Sequence, residues 1–157
     1  MKKYELTSDT KIVFGHILYR IKALSSFGCV SAGDLGGFLE SEKNLSQNGD
    51  AWVYGDARVY GNAEVYGNAE VCGNAEVSKI GSIFWIGAVG SRNDTATFFR
   101  CTDGVVRVTC GCFFGNLDEF AKKVRKTHGD NDHAKVYMLA IDMAKIRIST
   151  EKEKTEE

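Results

Sequence analysis

Proline is absent from the 157 residues, so every tight turn must be made by other residue types, chiefly the 17 glycines and their Asn and Asp neighbours. There is no long hydrophobic run: the longest, residues 83–89, is far too short to span a bilayer. Behind Met1-Lys2-Lys3, the polar residues Glu5, Ser8, Asp9 and Lys11 interrupt any signal-peptide core. Charge of one sign is also lacking: 20 Lys+Arg against 21 Asp+Glu leave a formal net charge of -1. That balance gives no general attraction to phosphate backbones, and nucleic-acid binding would need a local patch. The 5 cysteines are odd in number and not densely spaced, unlike a secreted disulfide scaffold. These absences lead us to expect a protein of the bacterial host cytoplasm, with free thiols and no membrane association.

What is present is a repeat. Residues 49–78 read GDAWVY, GDARVY, GNAEVY, GNAEVC and GNAEVS. Val recurs at 53, 59, 65, 71 and 77, and Ala at 51, 57, 63, 69 and 75. A period of six suits neither an amphipathic helix nor a meander, but it suits a triangular prism with one hexad per side. Val and Ala then point inward, the Gly-Asn or Gly-Asp pair takes the corner, and the residue before Val faces solvent. Residues eighteen apart stack, which pairs Arg58 with Glu76, Asp56 with Asn74, and Asp50 with Asn68. Extending this register makes residues 31–48 an imperfect first coil and residues 80–84 the end of a third.

The flanks must cap the open ladder edges. Residues 1–30 predict a β hairpin or small sheet, with Gly15 and Ser8-Asp9 as turn signals. Downstream, residues 95–101 and 105–113 predict two strands joined at Thr102-Asp103-Gly104. Asn116 to Glu119 has the form of a capping box, and Gly129 is placed to stop the helix that follows. A second helix is expected from Asp132 to about Ile148, with Tyr137, Ile141, Ala144 and Ile148 on one stripe. The expected fold is mainly β: an N-terminal β cap (1–30), a short left-handed β-helix (31–84), a C-terminal ββαα unit (85–150) and a disordered charged tail (151–157).

The hexads resemble the hexapeptide-repeat, left-handed β-helix superfamily. The order of segments widens the resemblance. Ala32-Gly33-Asp34-Leu35-Gly36-Gly37-Phe38 and Asn44-Leu45-Ser46-Gln47 precede the repeat. Gly90-Ser91-Arg92-Asn93-Asp94, Cys110-Gly111-Cys112-Phe113 and His128-Gly129-Asp130-Asn131 follow it. Together they are similar to uncharacterised phage and prophage β-helix proteins that carry transferase or polymer-forming cytoskeletal labels. The resemblance implies a mobile-element gene and a homotrimer, and it implies no reaction.

Few residues of the sequence suit catalysis. Acyltransferases with this repeat rely on a histidine base, and here His16, His128 and His133 are the only histidines, all outside the hexads. Cys110 and Cys112, which share a face in a strand, combine with His128 and His133 into a weak zinc set that matches no specific finger spacing. Cys112 lies near a helix start, where a thiolate is favoured, but no base is oriented toward it, and Cys101 reads as core.

Two polar loops form the best site: Ser91, Arg92, Asn93 and Asp94, with His128, Asp130 and Asn131. Each residue is also an ordinary turn or cap residue. Trp52, Tyr54, Tyr60 and Tyr66 read as outward-facing aromatics suited to a subunit interface. Lys122, Lys123, Arg125 and Lys126 form a basic run that could meet a phosphate. The expectation is a non-catalytic homo-oligomeric binding protein without cofactors. It would act in counter-defence by binding a host immunity protein or sequestering a nucleotide signal. The rivals are an acyl- or nucleotidyl-transferase and a structural scaffold.

Overall fold

A computed structural model describes residues 1–148, so the expected tail lies outside the described residues. The chain is mainly β, with two helices at its C-terminal end. Its strands are β1 (Tyr4–Val13), β2 (His16–Ala23), β3 (Leu35–Leu39), β4 (Trp52–Val53), β5 (Arg58–Val59), β6 (Glu70–Val71), β7 (Glu76–Val77), β8 (Ile83–Val89), β9 (Asp94–Arg100), β10 (Val106–Cys110) and β11 (Phe113–Asn116). The helices are α1 (Leu117–His128) and α2 (Asp132–Arg147).

The Val and Ala positions of the hexads are buried as expected. All five Val and all five Ala of the repeat are buried at 1% exposure or less. The five corner glycines, Gly49 to Gly73, all have φ between +60° and +74°, a region open to glycine without a Cβ clash. The Asn and Asp beside them are not among the positive-φ residues, so glycine alone supplies the left-handed conformation of each hexad. Parallel pairing joins Trp52 to Glu70 and Arg58 to Glu76, both eighteen residues apart, and the Arg58–Glu76 ion pair spans 3.9 Å. The earlier register differs. Leu39 pairs with Val59 and Leu45 bridges Val65, offsets of twenty, because Leu45 and Val53 stand eight residues apart where Leu39 and Leu45 stand six. A 3-10 turn at Glu42–Asn44 precedes the two extra residues. That turn is held by Asn44, whose amide donates to the carbonyls of Ala63 and Gly61.

The expected N-terminal hairpin forms between β1 and β2, with Phe14-Gly15 as its turn. Ser8-Asp9 is not a turn but lies where the β1–β2 register shifts. The hairpin extends into a five-stranded sheet ordered β1-β2-β3-β5-β7, which joins it to the repeat. At one edge of the repeat, the buried Lys3 ammonium donates to the carbonyls of Ala51 and Gly49, and Tyr4 donates to Leu45. Unpaired ladder carbonyls thereby find donors.

The C-terminal unit has four strands where two were expected. Residues 83 and 84, read as the end of a coil, instead begin β8, which pairs antiparallel with β9. Gly111, at φ +58°, breaks the expected second strand into the β10–β11 hairpin. The order is β11-β10-β9-β8. Both faces of β9 are buried: Phe99 joins the core of the repeat, while Ala96 and Phe98 join the core under the helices. The helices start and stop as their cap residues direct. Asn116 accepts from Glu119 N at 2.8 Å, Asn131 accepts from Ala134 N at 3.1 Å, and Gly129 follows α1. Arg107 grips Asp103 at 2.9 and 2.8 Å in the turn before β10, and holds that carboxyl down at about 2.

Candidate functional site

The two polar loops that the sequence singles out converge. A cleft of about 340 Å³ is lined by Ser91, Arg92 and Asp94 from the β8–β9 turn and by His128 from the end of α1. That volume lies in the range of small-ligand pockets. Positive φ at Gly90 and Asn93 makes the turn tight enough to present its side chains. Asn93, Asp130 and Asn131 do not line the cleft, and Asn131 is occupied as the α2 cap.

Sequence reasoning missed the floor. Phe113, Phe120 and Tyr137 lie behind the polar rim, with Phe120 at 5.1 Å from Phe113 and 5.5 Å from Tyr137 between ring centroids. His128 stacks on Tyr137 at 5.9 Å and also approaches His133 at 5.3 Å. Tyr137 had a signal, its place on the buried stripe of α2, but that spacing says core and not cleft. Of the basic run, Lys123 alone lines the cleft. The result is an aromatic floor with Arg92, Lys123 and His128 on its rim and one carboxylate, Asp94, beside the Gly111 turn. An aromatic floor with a cationic rim suits a flat ring that carries negative charge.

The thiols do not behave as a reactive set. Cys110 ends β10 and Cys112 sits in the turn after it, so they do not share a strand face as expected. Burial pushes the Cys110 thiol up, and its sulfur lies 3.8 Å from the Tyr137 hydroxyl. A raised thiol is neutral at physiological pH, which is the opposite of an activated nucleophile. Cys112 is separated in the chain from the start of α1 by β11. Cys101 is buried, as read. Among the described residues no group of three or more His, Cys, Asp or Glu is placed to hold a metal ion, so the Cys110, Cys112, His128 and His133 set is not assembled.

His16 Nδ1 donates to the Glu40 carboxylate at 2.8 Å and holds that carboxyl below the usual range. The second Glu40 oxygen accepts from Gly61 N at 2.8 Å. Through this carboxylate His16 of the hairpin is tied to Gly61 of the repeat.

The aromatics of the repeat need correction. Trp52 and Tyr60 are 1% exposed, covered by the chain's own N-terminal segments, and unavailable to a subunit interface. Trp52 packs on Tyr4 and Phe27, and Tyr60 on His16 while donating to Glu76. Tyr54 is half-buried, its phenol pushed up to about 12 by burial. Tyr66 alone stays exposed, edge-on to Trp85 at 4.6 Å. The positions before Val were expected to face solvent, yet only Glu64 is fully exposed.

Glu70 connects the repeat to β9, its backbone amide donating to Thr97 Oγ1 at 3.1 Å. Burial raises its carboxyl, and nearby Asp94 adds to the effect. A raised carboxyl favours the protonated native state, so its contribution to stability is present below the ordinary carboxylate range and is lost as pH rises. Glu70→Gln should therefore stabilise the protein at pH 7 by under about 1 kcal/mol, since the site is half-open to solvent. Thermal melts at pH 7 and pH 4 check this: the gain should shrink at the lower pH, and an equal gain at both would refute the burial argument.

No protein-family model and no curated protein matches the chain. No helix among the described residues is long and apolar enough to cross a membrane.

Proposed function

We propose that this is a non-catalytic binding protein that holds a nucleotide in the cleft between the β8–β9 turn and α1. The observation that carries the reading is the convergence of Arg92, Lys123 and His128 over Phe113, Phe120 and Tyr137. The rings accept a base, and the cations accept its phosphates. The basic residues in the last turn of α1 offset the negative end of that helix. The raised Cys110 thiol favours holding over turnover. The hexads, with their eighteen-residue offsets and glycine corners, serve as a rigid left-handed β-helical platform for this unit. In keeping with the resemblance to phage and prophage proteins, the use of such binding is sequestration of a nucleotide signal of host defence.

Titration calorimetry against a panel of linear and cyclic nucleotides tests the reading. Arg92→Ala and Lys123→Ala should each weaken the best ligand by tenfold or more, as expected when a charge-assisted hydrogen bond of about 1.5–3 kcal/mol is removed. Both side chains are exposed, so folding should be unaffected. No heat with any nucleotide, or equal affinity in the variants, would defeat the proposal. Conversion of the ligand would replace sequestration by catalysis.

A further inference from the structure

Helix α2 is apolar on two faces. One face, with Tyr137, Ala140, Ile141, Ala144 and Ile148, is buried against the C-terminal sheet and α1. The other carries Val136, Leu139, Met143 and Ile146, exposed by 40%, 63%, 49% and 88%. A helix that is apolar all round is ordinarily covered all round. The exposed residues are spaced three, four and three apart, the seam spacing by which one helix packs along another. Charge flanks this seam in a complementary way. Asp142 precedes Met143 and Arg147 follows Ile146, both exposed. In a parallel pair of such helices, the residue before one seam position meets the residue five further on in the neighbouring chain. Asp142 would therefore face Arg147 of a second copy, and the reverse.

From this geometry we infer that α2 is the self-association surface of the protein, packed in parallel against α2 of a second copy in a closed cyclic oligomer. The occupant is the same chain because the seam and its charges complete one another under rotation. The helix is already ordered on its own sheet, so association does not bear the cost of folding it. The apolar surface also continues past Arg147 into a groove lined by Ile80, Tyr66 and Trp85, with Ile80 61% and Tyr66 54% exposed. The one repeat tyrosine left in the open thus lies beside this surface.

Sedimentation equilibrium of the full chain over a dilution series tests the inference. The wild type should show a multiple of 17.3 kDa, and Leu139→Asp should show 17.3 kDa with an unchanged circular-dichroism spectrum. Asp142→Arg and Arg147→Asp should each weaken association about tenfold, and where the oligomer is a two-fold pair an equimolar mixture of the two should regain it, because both cross-pairs are then attractive. A wild-type monomer at the highest concentration would overturn the inference, as would an oligomer that Leu139→Asp and Ile146→Asp leave intact. Leu139 lies outside the cleft, so Leu139→Asp should bind nucleotide as the wild type does, which separates this surface from the ligand site.

Discussion

Replacing Trp52 with alanine should lower stability by about 3–5 kcal/mol, the usual cost of deleting a large buried ring. The side chain is 1% exposed and meets Phe27 at 5.3 Å and Tyr4 at 6.1 Å, both edge-on. These contacts join β4 to segments that lie some fifty and twenty-five positions earlier in the chain. The cavity would open where the hairpin, the Gly36-Gly37 pair and the repeat meet, and backbone on all sides limits its collapse. A domain of ordinary stability holds about 5–15 kcal/mol, so the variant would keep a fraction of its margin. Urea unfolding followed by circular dichroism measures the loss. A cost below about 1 kcal/mol would mean that the N-terminal segment does not enclose the ring.

The second large effect belongs to Gly37. A Cβ built there would lie 2.5 Å from the carbonyl oxygen of Ala57 and 2.7 Å from Val53 Cγ1. The Ala57 oxygen cannot withdraw easily, because it accepts from Phe38 N at 2.9 Å in the β3–β5 ladder. Gly37→Ala should therefore cost about 3 kcal/mol or more, at the upper end of overpacking changes. Gly55→Ala is the natural comparison. Gly55 stands at φ +60° with nothing within 4 Å of a new Cβ, so only backbone strain opposes it, at about 1–2 kcal/mol. If the two variants melted together, close approach of backbones would not be what demands glycine at 37.

These two residues mark the boundary of what was legible. Buried Val and Ala, glycine corners, the Arg58–Glu76 register, the hairpin and both helix caps could be read because each depends on near neighbours and a fixed period. Of the two polar loops, legible because tight turns rich in donors and acceptors declare themselves locally, Ser91, Arg92, Asp94 and His128 line the cleft, while Asn93, Asp130 and Asn131 do not. The aromatic floor was not legible. Phe113, Phe120 and Tyr137 sit on three elements, and only their packing aims them at one space. The aromatics at 52 and 60 were misread for a similar reason: the alternation puts them outside the repeat core, but a remote hairpin covers them. Likewise the offset of twenty at Leu39–Val59 follows from two extra residues between Leu45 and Val53, which no strict period can anticipate.

The sequence by itself determined the six-residue period, the inward set of small and β-branched residues, and the ends of the helices, because these are contests between adjacent residues and the backbone. Tertiary structure alone decided which outer faces are covered, how the four-stranded C-terminal sheet divides its two cores, and where a cleft opens. Those outcomes depend on which distant surfaces can exclude water together, and burial is a property of the pair, never of one segment.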